Sequence, residues 1–174
     1  MKILVCISSV PDTTSKINFT PDNCKFDPTG VQFIINPNDE FCLTKAILLK
    51  EKLGATITLI NVGTADTEPI LRKAYAIGAD DIIRINATPT DALMVATEIA
   101  KVAKEGAYDL IICGKESLDY NGGMVGGYLA ALLDLPFINK CIGLEIEGNS
   151  VTAAREVEGG KELLSASLPL VIAG

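Results

Sequence analysis

The stretch DLIICGKESLDYNGGMVGG, residues 109–127, changes character at a single residue. Up to Cys113 it is a short, unbroken apolar run, the pattern of a parallel strand covered on both faces. From Gly114 it turns small and polar, and Gly122, Gly123, Gly126 and Gly127 lie at or near the start of the next apolar segment. Strand, glycine-rich loop and helix in that order make a βα unit. A parallel neighbour for such a strand requires a crossover, so the same unit is expected elsewhere in the chain.

It recurs on both sides. Lys2–Ile7, Ala55–Gly63 and the run Asp80–Ile85 read as three further strands. The segment NPNDEFCLTKAILLKEKLG, residues 36–54, reads as a helix with Asn36 as cap, Pro37 in the first position, Asp39 and Glu40 at the positive end, and Gly54 as its stop. Helices ending at Gly78 and Gly106 follow the second and third strands, and one from about Gly123 to Leu133 follows the fourth. Short strand-like pieces are expected near 16–19 and 31–35. The remainder reads as β, at 141–147, 150–154 and 163–172. Residues 1–174 thus form one α/β domain: a doubly wound, mostly parallel sheet with helices on both faces, Rossmann-like in the manner of the adenine-nucleotide hydrolases, plus a C-terminal β-hairpin.

Composition narrows the function classes. The net charge of −7 provides no basic stripe for nucleic acid or for anionic membranes, and no apolar run approaches the length of about 20 residues that spans a bilayer. Cys6, Cys24, Cys42, Cys113 and Cys141 are odd in number and show no C-x-x-C spacing, so free thiols in a reducing cytoplasm are expected, with no metal cluster. The chain contains no histidine. That removes Ser-His-Asp and Cys-His catalysis together with the commonest general base. No catalytic residue is expected, and no bond-making step from this chain alone.

Ligands of doubly wound sheets sit beyond the carboxyl ends of the strands, where strand order reverses. Past the first strand lies Ser8-Ser9-Val10-Pro11-Asp12, past the second Asn61-Val62-Gly63-Thr64, and past the fourth the loop from Gly114 to Val125. Backbone amides around Gly122 and Gly123 can approach a phosphate, with a positive helix end behind them. Ser117 offers a hydroxyl, and Asp119 and Asn121 offer acceptors. A carboxylate at Asp119 is expected to accept from the loop's own amides and fix its shape. The pattern is neither G-x-G-x-x-G nor a P-loop, and a glycine-rich turn packed on its neighbours explains it equally well.

Several stretches taken together identify a family. ILVCISSVPD, NPNDE, AIGADDIIRI, DLIICGKESLDYNGG and the closing AAREVEGGKELLSASLPLVIA, residues 153–173, resemble the β (small) subunit of electron-transfer flavoprotein over essentially the whole chain. The last stretch is the most specific, through Arg155, Glu158-Gly159-Gly160, Glu162, Leu164, Pro169, Val171-Ile172 and Ala173. The resemblance implies an αβ heterodimer that passes electrons from flavin dehydrogenases such as acyl-CoA dehydrogenase to a quinone reductase or another acceptor. It implies redox FAD held mainly by the α subunit, and AMP, or a second FAD in bifurcating members, in the β cleft. Matched to this chain, the nucleotide positions are Cys6; Asn36, Pro37, Asn38 and Asp39; Val62; and the loop with Gly114, Ser117, Asp119, Asn121, Gly122, Gly123, Met124 and Val125. The charges of the Arg155–Glu162 hairpin are expected at the subunit interface. Members continue beyond the equivalent of Gly174 into an arm that meets dehydrogenases, which this chain would lack. The implied compartment is the bacterial cytoplasm, or the mitochondrial matrix in a eukaryote.

Three positions depart from the family pattern: Ser8 stands where many relatives carry lysine, Asn121 where an aspartate is common, and Met124 where glutamine is frequent. Two other classes share features of the chain. A universal-stress-type nucleotide-binding protein has the same alternation and a glycine loop after its fourth strand, but gives no reason for the Arg155–Glu162 hairpin. An ATP-pyrophosphatase-type enzyme needs Ser-Gly-Gly-x-Asp-Ser after its first strand, where this chain has Ser8-Ser9-Val10-Pro11-Asp12.

Overall fold

A computed structural model describes all 174 residues. Strands β1 (Lys2–Cys6), β2 (Ser9–Pro11) and β3 (Phe33–Ile35) precede helix α1 (Pro37–Leu53). Then come β4 (Thr56–Val62), α2 (Glu68–Gly78), β5 (Asp81–Ile85), α3 (Ala92–Gly106), β6 (Leu110–Cys113) and α4 (Val125–Leu133). The chain finishes with β7 (Phe137–Ile138), β8 (Cys141–Glu147), β9 (Ser150–Val157), β10 (Gly160–Ser167) and β11 (Leu170–Ala173).

The central sheet has the order β5-β4-β1-β6-β11-β7, and every pairing in it is parallel. Alternate residues of each strand feed two cores. Ile3, Val5, Ile57, Leu59, Leu110 and Ile112 face α1 and α2, while Leu4, Cys6, Ile60, Ile111 and Cys113 face α3 and α4. Both faces being covered is why these strands are apolar without alternation. Each fully buried Leu or Ile contributes about 1.5–3 kcal/mol. The helix ends follow their sequence signals. Gly54 adopts φ +66° and its N–H closes α1 onto the Lys50 carbonyl, and the Asp91 carboxylate accepts from the Met94 N–H at 2.9 Å to cap α3.

Three expectations change. Residues 163–172 do not form one strand: the first part is β10, in a separate antiparallel sheet β10-β9-β8, and the second is β11, inside the parallel sheet. A cis Leu168–Pro169 peptide bond joins them. Pro169 has no N–H for a ladder, so the two strands separate there. Residues 16–19 form no strand, contributing only an isolated bridge from Phe19 to Phe26. The piece near 31–35 shortens to β3, which pairs antiparallel with β2.

The hairpin of β9 and β10 turns at Glu158-Gly159, with Gly159 at φ +78°. Arg155 and Glu162 are register partners, and the Arg155 Nε donates to Glu162 Oε2 at 3.0 Å. Both side chains are substantially exposed, so the pair contributes well under about 1 kcal/mol. The inner face of this small sheet, Leu144, Ile146, Val151 and Ala153, is buried against the α1 side of the core.

Candidate functional site

Strand order runs one way from β1 through β4 to β5 and the other way from β6 through β11 to β7, so the reversal falls between β1 and β6. A cleft of about 810 Å³ opens beyond the carboxyl ends of these strands. That volume lies within the range of about 300–1,000 Å³ typical of small-molecule sites.

Its floor is built by residues from α1. Asp39, in the first turn, is 3% exposed and reaches across the reversal point. Its Oδ2 accepts from the Ser8 N–H at 2.7 Å and its Oδ1 from the Gly114 N–H at 2.9 Å. The two amides follow β1 and β6 respectively, so one carboxylate joins both strand exits. Burial lifts the Asp39 pKa to about 6, against the opposing pull of the hydrogen bonds from Ser8, Asn36 and Gly114. Gly114 must be glycine here, because a Cβ would sit 2.4 Å from Asp39 Oδ1 and 2.8 Å from Asn38 Cβ. The thiols of Cys6 and Cys113 also line the cleft. Burial raises the pKa of both, and lifts that of neighbouring Cys42 to about 12, which keeps them protonated and unreactive.

The glycine loop is held from below. The Nδ2 groups of Asn36 and Asn38 both donate to the Glu116 carbonyl at 2.9 Å, and Asn36 Oδ1 accepts from the Leu118 N–H at 3.3 Å. Asn36 therefore occupies the cap position of α1, but its side chain serves the loop instead of the helix. On the other wall, buried Asn61 donates to the Ile7 carbonyl at 2.8 Å and accepts from the Thr67 hydroxyl at 2.9 Å, tying β1, β4 and the entrance to α2 together.

Above the loop stands the start of α4. Met124 occupies its cap position and no side chain caps it, in contrast with Asp91 on α3. The first amides of α4 are thus left without side-chain acceptors, at a positive helix end on the cleft wall. Gly126 brings this turn close to the sheet, since a Cβ there would lie 2.9 Å from Phe137 Cε2 and 3.0 Å from Cys113 Sγ. Lys115 is the one cation lining the cleft, against the carboxyl groups of Asp39, Asp66, Asp91, Glu116 and Asp119. An anionic group is therefore favoured at the α4 end, and hydroxyl donors elsewhere.

Of the expected site residues, Cys6, Asp39, Val62, Gly114, Ser117, Asp119, Gly122, Gly123, Met124 and Val125 line the cleft. Asn36, Pro37, Asn38 and Asn121 do not line it; Asn36 and Asn38 hold the loop from the α1 side, and Asn121 is an exposed residue of the loop itself. Asn121 adopts φ +51°, and its N–H donates to the Ser117 carbonyl at 2.8 Å. Asp119 departs from its expected part. It is exposed, and the loop's acceptors are supplied by Asn36 and Asp39 instead. The approach to α3, Pro89 to Ala92, and the turn Thr64 to Thr67 also line the cleft. The rule that places ligands past each strand, applied to β5 as well, would have pointed to the first of these. No helix is long and apolar enough to cross a membrane.

Comparison with known proteins bears on this geometry. Residues 24–173 match the model of the Electron transfer flavoprotein domain family. The chain is 36% identical over 176 residues to the electron transfer flavoprotein subunit beta of Bacillus subtilis (strain 168), covering 99% of this chain and 68% of that protein. It is 32% identical over 178 residues to the subunit of the same name from Homo sapiens, covering 99% and 70%. It is 30% identical over 179 residues to the acryloyl-CoA reductase electron transfer subunit gamma of Anaerotignum propionicum, covering 99% and 66%. The chain spans about two thirds of the length of these relatives.

Proposed function

The chain belongs to the electron-transfer flavoprotein family, among its β subunits, and on that premise we propose that it works as the β half of an αβ electron carrier whose cleft holds AMP or a second FAD. One observation carries the nucleotide reading: an uncapped helix start and a glycine-rich loop meet at the reversal point of a doubly wound sheet. The donors fit the ligand class. The first amides of α4 and Lys115 suit a phosphate, and Asp66, Asp91 and Glu116 suit ribose hydroxyls. Asn36, Asn38 and Asp39 keep the loop in shape without spending an acceptor on the ligand.

Bound flavin supplies the redox chemistry of such a carrier. This chain's part is to hold and orient the nucleotide and to seat the α subunit. A seat is consistent with the exposed apolar side chains Phe41, Ile142 and Leu163, which are 74%, 60% and 72% accessible. Electrons would come from flavin dehydrogenases such as acyl-CoA dehydrogenase and pass to a quinone reductase or another acceptor, in the cytoplasm of a bacterium or the matrix of a mitochondrion.

The test is composition. Coexpressed with an α subunit, the chain should purify as a 1:1 complex, and acid should release FAD together with one AMP, or a second FAD, per heterodimer. A stable complex that releases flavin from α alone, with no nucleotide assignable to the β chain, would refute the cleft assignment.

A further inference from the structure

The crevice between β1 and β6 is where a doubly wound sheet offers its strand-end amides to an anionic ligand, and here that place is taken. Ser8 and Gly114 each direct a backbone N–H into the crevice, and both N–H groups end on Asp39, at 2.7 and 2.9 Å. The carboxylate is 3% exposed, and none of the molecule's ion pairs includes it. A buried carboxylate facing only donors and thiols, without a cation, holds its place through those two amides together with its Ser8 and Asn36 neighbours. The absence of a side chain at Gly114 makes the room, as a Cβ there would overlap Oδ1.

We propose that Asp39 is a positioning residue whose carboxylate acts as a built-in anion, occupying the strand-end anion site of the crevice and leaving the bound ligand's own anionic group to the start of α4. The inference rests on the nucleotide reading only for where the ligand's phosphate goes. The occupied anion site stands on the hydrogen bonds alone. It accounts for a cleft that is acidic along its floor yet has a positive helix end on one wall.

Chemical rescue tests it. Asp39→Gly empties the site and leaves two inward amides, which a small carboxylate can refill. Sodium formate, compared with sodium chloride at equal concentration, should raise the melting temperature of Asp39→Gly in a saturable way. It should leave the wild type and Asp39→Asn, in which a side chain still fills the space, unchanged relative to chloride. If Asp39→Gly does not fold unaided, its refolding yield in formate against chloride carries the same comparison. With the site vacated, the phosphate of AMP can also enter it. Formate should then weaken AMP binding to Asp39→Gly, measured on the αβ complex, and leave AMP binding to the wild type unaltered. Equal formate effects on all three proteins, or none on Asp39→Gly, would overturn the proposal. Formate rescue with no AMP binding to any of them would uphold the built-in anion and count against the nucleotide reading instead.

Discussion

Replacing Gly114 by alanine adds one carbon at the tightest point of the cleft floor. The φ of Gly114 lies outside the left-handed range, so the cost is steric and not conformational. The new Cβ would stand 2.4 Å from Asp39 Oδ1, 2.8 Å from Asn38 Cβ and 3.1 Å from the Asn38 carbonyl carbon. The first of these requires the carboxylate to retreat by about 1 Å to reach an ordinary contact, which breaks its bond from the Gly114 N–H. Overpacking costs about 1–3 kcal/mol, and losing a charged hydrogen bond with its partners left buried costs about 1.5–3 kcal/mol more. The sum is about 2.5–6 kcal/mol. At about 2–4 °C per kcal/mol for a domain of this size, melting should fall by about 5–24 °C. Gly122→Ala is the control, because a Cβ there meets nothing within 4 Å. It should stay within about 0.5 kcal/mol of wild type. Thermal unfolding followed by circular dichroism measures both. If Gly114→Ala melts with Gly122→Ala, the joint between Asp39 and the two strand exits does not bear on stability, and the reasoning fails.

Three further outcomes are expected. Asp39 has a folded-state pKa of about 6 against an ordinary 3.8, so the stability it gains by protonation is fully present below pH 3.8 and lost as pH rises through about 6. Relative to Asp39→Asn, the wild type should therefore lose up to about 3 kcal/mol between pH 4 and 7; a pH-independent difference in denaturant midpoint would contradict this. Asp119→Ala removes an exposed carboxylate and should shift stability by less than about 0.5 kcal/mol; a loss of a full cap's worth in thermal melting would restore it as the loop's organiser. Arg155→Ala should cost less than about 1 kcal/mol in the isolated chain, and a much larger loss of affinity for the α subunit in a binding titration would place this hairpin at the interface.

The layered fold was legible because its evidence is local. Unbroken apolar runs mark doubly covered strands, and Pro37 and Gly54 punctuate α1 through their own backbone chemistry. Leu163–Ile172 misled because hydropathy runs through it, although Pro169 already argued against a continuous central strand. The loop after β6 was legible from its glycines. The part played by Asp39 was not, since it joins residues 31 and 75 positions away and only the sheet's topology brings them together. Asp119 looked like the organiser because it lies inside the loop it was expected to shape. Asn36 and Asn38, some 80 positions distant in the chain, do that work from below.

The place of β11 has a consequence for how the molecule is made. It lies between β6 and β7, and each pairs with it in parallel, so β7 has no other neighbour in the sheet. Beyond it, the Lys115 N–H donates to the Gly174 carbonyl at 2.8 Å, and the Gly174 N–H donates to the Cys113 carbonyl at 3.1 Å. While residues 114–169 are being synthesised, β6 therefore presents an open, apolar edge, and the first peptide of the glycine loop lacks its anchor. Pairings across such a sequence separation form slowly, and unpaired edges invite association with other chains. On a ribosome, the cleft is finished only when the strand at its back arrives, so the interval before Leu170 emerges is the one in which β6 is most exposed to wrong pairings.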